Sequence, residues 1–319
     1  MWGHNGGAVV TDEPDRTHEE RGGGMPHRPV LTTAVLHYLA ARPGAVIADG
    51  TVGAGGHAAE LAARLAPGGR LLGLDWDDDA LALAVERLDE YGEAVRLIRA
   101  PFQDLAQVSA ELGLPRLDGL LLDLGLSSMH VDRPERGFSF LQDGPLDMRM
   151  DRRRALTARE AVNTWPSDEL AQVIREYGED RYASRIARAI ERARSSGPIE
   201  TTRELAGIVA GATPGARASR RLHPATRTFQ ALRLAVNDEL GALRTLLAAL
   251  PDLLAPGGRA VIISFHSLED RLVKRAFLDA ARQGWGRVLT KKPVRPDADE
   301  VASNPRSRSA KLRALERLP

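Results

Sequence analysis

The 319-residue chain contains no cysteine. A disulfide framework, a thiolate zinc site and a cysteine nucleophile are thereby excluded. Carbon-5 methylation of pyrimidines, which normally needs a thiolate to activate the ring, goes with them. Aromatic residues make up only 4% of the chain, too few for the base-stacking sheet on which many RNA modules rely. There is no Gly-Lys-Ser/Thr and so no P-loop, and the eight histidines show no paired spacing such as His-Glu-x-x-His, so no metal site is expected. Lysine is nearly absent: of 44 basic residues only Lys274, Lys291, Lys292 and Lys311 are lysines. The arginine and alanine excess fits a GC-rich genome and says little by itself about RNA. Net charge is +1, so no global basic field exists and any nucleic-acid contact must come from local clustering. No apolar run is long enough to span a bilayer. Residues 1–24, rich in Gly, Asp, Glu and His and lacking an apolar signal core, read as a disordered extension, and a cytoplasmic protein is expected.

What is present is an ordinary globular composition, 43% apolar and 27% charged, with length for one domain plus an insertion. Its most informative stretch is Asp49-Gly-Thr-Val-Gly-Ala-Gly-Gly-His57. A buried strand over 45–48 ends in an acid, a glycine turn follows, and apolar residues at helical spacing begin at Ala58. Gly53-x-Gly55-x-x-Ala58 also fits a degenerate dinucleotide fingerprint, a weak signal alone. Its surroundings sharpen it. A second apolar run from Arg70 to Leu74 ends in Asp75, where an acid commonly takes ribose hydroxyls. A third, Val95 to Ile98, ends near Phe102, and a fourth, Leu117 to Leu122, ends at Asp123. Four such strand ends converge on one edge of a parallel sheet, where open α/β folds bind ligands. Asp49 could merely cap the turn, and Asp77, Asp78 and Asp79 are read as serving the dipole of the helix that follows. Phe102 alone would more often be core, and His57 alone a surface residue.

Strands and helices alternate through Ser128, after a first helix over 33–40, as a doubly wound sheet requires. From Asp132 to Asp151 neither period holds. Residues 152–215 then read as helical, with capping boxes at Thr157-x-x-Glu160 and Thr201-x-x-Glu204. A long helix is expected over 226–250. The sheet returns at Leu254-Ala-Pro-Gly-Gly-Arg-Ala-Val-Ile-Ile-Ser264, which repeats the joint seen from Leu65 to Asp75. The expected organisation is a Rossmann-like domain from 25–134 and 226–319, split by an inserted helical domain over 135–225. Sixteen arginines against ten acids from Asp151 to Arg233, including Arg217, Arg220 and Arg221, could line a phosphate backbone or form a solvated face. Charge alone does not decide.

The blocks His27-Arg-Pro-Val-Leu, Asp49 to His57, Asp123-Leu-Gly-Leu-Ser-Ser128, Arg136-Gly-Phe-Ser-Phe140, Gly144-Pro-Leu-Asp-Met-Arg-Met150, His223 to Arg233, Ser264-Phe-His-Ser-Leu-Glu-Asp-Arg271 and Asn304-Pro-Arg-Ser-Arg-Ser309 closely resemble the ribosomal RNA small subunit methyltransferase H family. The likeness runs from about Pro26 to the C-terminus and keeps the order of every block. It implies a class I S-adenosylmethionine-dependent methyltransferase fold, α/β and doubly wound, with an inserted all-helical domain that helps recognise RNA. It implies methyl transfer from S-adenosylmethionine to the exocyclic N4 of one cytidine in the decoding region of 16S rRNA, within the small ribosomal subunit, and it leaves a homodimer open. Carried onto matching positions, the cofactor contacts are Gly55, Gly56, His57, Asp75, Phe102, Asp123 and His130, the last a position where some relatives carry glutamine.

For the chemistry, a cytosine amine has its lone pair delocalised into the ring, so an enzyme must align it with the sulfonium methyl and accept its hydrogen bonds. Asp123 is the expected acceptor. Asp123-Leu-Gly-Leu departs from the Asn/Asp/Ser-Pro-Pro-aromatic motif of many amino-methyltransferases and has no aromatic to stack on the base. His266 is a second catalytic candidate, while Ser267-x-x-Asp270 reads as a helix cap. Phe138, Asp147, Arg149 and Arg227 are candidate substrate contacts, with the segment around Phe138 and Phe140 closing over an unstacked base. Two other classes remain: an NAD-dependent oxidoreductase, which lacks an evident hydride-transfer acid, and a noncatalytic RNA-binding ribosome assembly factor.

Overall fold

The computed structural model of the protein describes residues 29–214 and 223–319. The expected N-terminal extension and the Arg217, Arg220 and Arg221 group lie outside the described residues. Five strands run parallel: β1 (Val46–Asp49), β2 (Arg70–Asp75), β3 (Val95–Arg99), β4 (Leu117–Asp123) and β5 (Leu254–Ser264). Two more, β6 (Gly286–Val288) and β7 (Lys311–Arg317), complete a seven-stranded sheet in the order β3-β2-β1-β4-β5-β7-β6, with β7 antiparallel to both neighbours. The fold is that of a class I, Rossmann-like methyltransferase.

The central strands are continuous apolar runs because helices cover both faces of the sheet. Helices α1 (Thr32–Leu39), α2 (Gly56–Leu65) and α3 (Asp78–Leu88) bury Val35, Leu61 and Leu88 on one side. On the other, α4 (Leu105–Glu111) buries Leu105, beside residues contributed from later in the chain. The order of strands reverses between β1 and β4, and there the connections depart to opposite sides. A crevice must open outside the carboxyl ends of that pair.

After β4 the chain forms α5 (Ser128–Asp132), an irregular stretch, and then a second apolar core built by α6 (Ala158–Thr164), α7 (Ser167–Gly178), α8 (Ala183–Arg194), α9 (Thr202–Ala212) and α10 (Ala225–Asn237). Leu170, Ile174, Ile186, Ile190, Leu205 and Leu232 fill it. The cap at Thr201 forms in both directions with Glu204, whereas Thr157 accepts from the Glu160 amide without the reciprocal bond.

The expected continuous helix over 226–250 is broken. Asp238 stands in the left-handed region at φ 50°, separating α10 from α11 (Glu239–Leu253). Asn237 sets the break: its amide nitrogen donates to Met148 O at 2.8 Å and its oxygen accepts from Met150 N at 2.8 Å. Phe229 and Leu232 of α10 join the helical core, while Leu246 and Leu250 of α11 join the sheet. The chain thus passes from the helical core to the sheet at Asp238. The remaining helices, α12 (Ser267–Arg282) and α13 (Ala298–Ser303), flank the last strands. Among the described residues no helix is long and apolar enough to cross a membrane.

Candidate active site at the strand ends

The apolar run of β1 ends in Asp49, and the chain reverses within six residues to begin α2. Gly53 and Gly55 make that turn at φ 52° and 79°, a conformation costly for any residue with a Cβ. Gly56 is small for a different reason. A Cβ there would stand 2.9 Å from Pro29 Cγ, so its absence lets the segment before α1 cross the turn. Asp75, at the end of β2, holds the same turn: one carboxylate oxygen accepts from Gly53 N at 2.9 Å, the other from Asp77 N at 3.0 Å. Burial nonetheless raises its pKa, against those two backbone bonds.

A cavity of about 390 Å³ opens over these strand ends, lined by Gly56, His57, Asp75, Phe102, Asp123 and His130. Six of the seven residues expected to contact a cofactor are thus brought together, and the seventh, Gly55, is buried under the turn. The volume suits a nucleoside-sized ligand.

His57 is not the surface residue its position at a helix start suggests; it is 6% exposed. Neither ring nitrogen has a hydrogen-bond partner, and Nε2 lies 3.6 Å from Asp123 Oδ2. Burial alone would push this imidazole down, but the carboxylates of Asp123, Asp49 and Glu60 outweigh it and raise the pKa. Asp123 Oδ1 and Asp49 Oδ2 are likewise buried and unpartnered. The other Asp49 oxygen accepts from Thr51 N at 3.1 Å, and Thr51 Oγ1 accepts from Asp123 N at 2.7 Å. Burial, with Asp123 and Asp75 nearby, outweighs the help of His57 and Thr51 and pushes the Asp49 carboxyl up to about 7.

His130 also lines the cavity, and Asp77 stands behind it. Asp77 does cap α3, its Oδ1 accepting from Asp79 N and Ala80 N. A helix-dipole role for it alone is too small, however: its Oδ2 lies 2.6 Å from His130 Nε2 and 2.9 Å from the guanidinium of Arg136, all three being buried. His130 Nδ1 accepts from Ser127 N, which leaves the ring proton on Nε2 for Asp77. Burial would raise the Asp77 pKa, but His130 and Arg136 hold it well below the usual carboxylate range.

Phe138, Asp147, Arg149 and Arg227 are not in the cavity wall among the described residues. Phe138 packs on His130 with ring centres 4.9 Å apart. Asp147 and Arg149 pair with each other at 2.7 Å, and Arg149 also donates to the carbonyls of Arg152 and Arg154. Arg227 donates to Glu179 O at the end of α7. His266 proves to be the cap of α12, its Nδ1 accepting from Glu269 N while Glu269 Oε2 accepts from the amides of Phe265 and His266. That box displaces the expected Ser267-x-x-Asp270 cap, because Asp270 is drawn instead to Arg313 of β7 at 2.6 Å. His266 Nε2 lies 3.1 Å from Glu269 Oε1, at ion-pair distance but without hydrogen-bond alignment.

Trp76, Glu239, Phe265, Glu269 and Arg306 line the cavity without having been singled out in the sequence. Trp76 directly follows Asp75, and Phe265, Glu269 and Arg306 lie inside recognised blocks. Glu239 carried no signal; it is held by both arms of Arg233, at 2.7 and 2.9 Å.

The sequence profile of the MraW methylase family matches residues 24–318. The chain belongs to that family. It is 52% identical over 311 residues to the ribosomal RNA small subunit methyltransferase H of Pelobacter propionicus, covering 92% of this chain and 99% of the relative. The enzyme of the same name from Geobacter sulfurreducens is 51% identical over 308 residues, with 92% and 99% covered. Among solved structures, an rRNA methylase from Streptococcus thermophilus is 12% identical at a TM-score of 0.42, with 90% of this chain and 94% of that one covered. Membership of the MraW family sets aside the hydride-transfer reading and makes S-adenosylmethionine the cofactor. The cavity fits it: a glycine turn against which a ligand can lie closely, an acid at the second strand end, and buried polar atoms without internal partners.

Proposed function

We propose that this protein transfers a methyl group from S-adenosylmethionine to the exocyclic N4 of one cytidine in the decoding region of 16S rRNA, acting on the small ribosomal subunit. The names of relatives at about 50% identity over 92% of the chain support ribosomal RNA as the substrate; the resemblance of the sequence blocks supports the cytidine and its site. The observation that carries the chemistry is Asp123 at the end of β4, in the cavity wall, with one carboxylate oxygen buried and unpartnered.

The cofactor supplies an electrophilic methyl on a sulfonium. The chain does the rest. Gly53 and Gly56 give a close-fitting floor, shaped by the turn at Gly55, Asp75 receives ribose hydroxyls, and Phe102 packs near the adenine. His130, fixed by Asp77, closes the adjoining wall. Asp123 accepts a hydrogen bond from the target amine, aligning its lone pair and drawing electron density toward nitrogen. The wall formed by Glu239, Phe265 and Glu269 faces the same space and bounds the base. The helical insertion, with its arginine excess, engages the RNA backbone, and Phe138, Asp147, Arg149 and Arg227 serve by holding it in place against the site.

Asp123→Ala should lower kcat for methyl transfer to unmodified small subunits by about 10² or more, while the protein still binds S-adenosylhomocysteine. Near-normal turnover in that variant would remove Asp123 from the mechanism.

A further inference from the structure

Around Asp123 the structure holds a set of buried polar groups. Asp49 is 1% exposed and lies outside the cavity wall; His57 touches the wall, with both ring nitrogens unpartnered. Thr51 bridges the two residues, its amide donating to the Asp49 carboxylate and its hydroxyl oxygen accepting from the Asp123 backbone amide. A neutral imidazole 3.6 Å from one carboxylate and within the electrostatic reach of another can receive a proton, since each carboxylate stabilises the cation that results.

We propose that Asp49 and His57 form a proton relay acting through Asp123, which removes the proton that the target amine must shed after methyl transfer. This rests on the amine-methylation reading given above. The amine lone pair forms the N–C bond, and the C–S bond breaks with its electron pair going to sulfur. The nitrogen, now cationic, loses one proton to Asp123. That proton passes to His57 Nε2, 3.6 Å from Asp123 Oδ2, a gap that a small movement of either side chain closes. The imidazolium is held by Asp49 until solvent removes the proton. His57 and Asp49 are positioning residues here, since neither touches the reacting nitrogen. The charged groups facing His57 are Asp123, Asp49 and Glu60; those facing Asp49 are His57, Asp123 and Asp75.

The relay needs His57 neutral at the start, so kcat should rise with pH through the His57 titration. Removing the Asp49 charge lowers that pKa, because burial continues to disfavour the cation while one stabilising carboxylate is gone. In Asp49→Asn the rising limb of the kcat profile should therefore move to lower pH, with a plateau reduced at least tenfold and KM for S-adenosylmethionine within about threefold. The His57 ring titration, followed by nitrogen-15 NMR in the cofactor-free protein, should shift down with it. Glu60→Gln, at the exposed edge of α2, should shift the same titration far less. His57→Asn should abolish the rising limb.

If His57→Asn instead weakens S-adenosylhomocysteine binding tenfold or more with kcat retained, His57 is a partner of the ligand carboxylate and the relay is wrong. An unmoved His57 titration in Asp49→Asn overturns it equally, and that readout needs no turnover should the variant be inactive. The methylated nucleoside made by the wild-type protein is a separate measurement. A product other than N4-methylcytidine would remove the amine reading, whatever the NMR shows.

Discussion

Asp49 carries the least expected demand at the scale of single residues. Its carboxyl titrates near 7 in the folded protein, against 3.8 for an ordinary aspartate. A raised folded pKa means stability that is fully present below about pH 4 and lost as pH rises through about 7. The loss amounts to about 4 kcal/mol at most, since a tenfold change in proton affinity corresponds to about 1.4 kcal/mol. Asp49→Asn removes that slope. Denaturant midpoints between about pH 4 and pH 8 should fall for the wild type and fall less for the variant; parallel profiles would contradict a buried, strained acid at this position. The sequence announced Asp49 as the end of a strand and offered turn-capping as its job. What it could not announce was burial without full satisfaction, because that depends on His57 folding inward and on Asp123 arriving from a strand more than seventy residues away.

Elements show the same mixture of local legibility and long-range surprise. The first five strands were visible as apolar runs, three of them ending in acids, since strands covered on both faces need no alternation. The last was not: Lys311-Leu-Arg-Ala-Leu-Glu-Arg317 is charged at nearly every other position, yet Arg313 is buried because Asp270 meets it. The kink at Asp238 was invisible for the same reason, Asn237 being committed to backbone about ninety residues earlier. The joint between sheet and helical core depends on Arg136, which donates to the carbonyls of Arg149 and Met150 and pairs with Asp77 beside His130. Arg136→Met leaves a buried acid paired with His130 alone, and should cost about 3–5 kcal/mol in urea unfolding. Arg133→Ala, which breaks a half-exposed pair with Asp79, should cost less than about 1 kcal/mol. Equal effects would mean that Asp77 is not the anchor. The folded Asp77 pKa is depressed, so its contribution is present above the ordinary carboxylate range and lost as pH falls below it. The joint should therefore be acid-labile.

At the scale of the whole molecule, two apolar cores share one crevice, and the chain crosses between them near Asp132 and again at Asp238. The residues expected at the cofactor were readable as one cluster because they lie at strand ends, where backbone geometry constrains few residues. The residues expected at the substrate form no such cluster. Phe138, Asp147, Arg149 and Arg227 are occupied with internal partners, whereas Trp76, Glu239 and Phe265 stand in the wall. Conspicuous motif residues can serve the scaffold as readily as the ligand, and only the packing tells them apart. The most direct test of methyl transfer to a cytidine amine incubates the protein with methyl-labelled S-adenosylmethionine and small ribosomal subunits lacking the modification, then identifies the labelled nucleoside by mass spectrometry after digestion. Label is expected in N4-methylcytidine from a single decoding-region position. Label in any other nucleoside, or none from a protein that still binds S-adenosylhomocysteine, would contradict that chemistry.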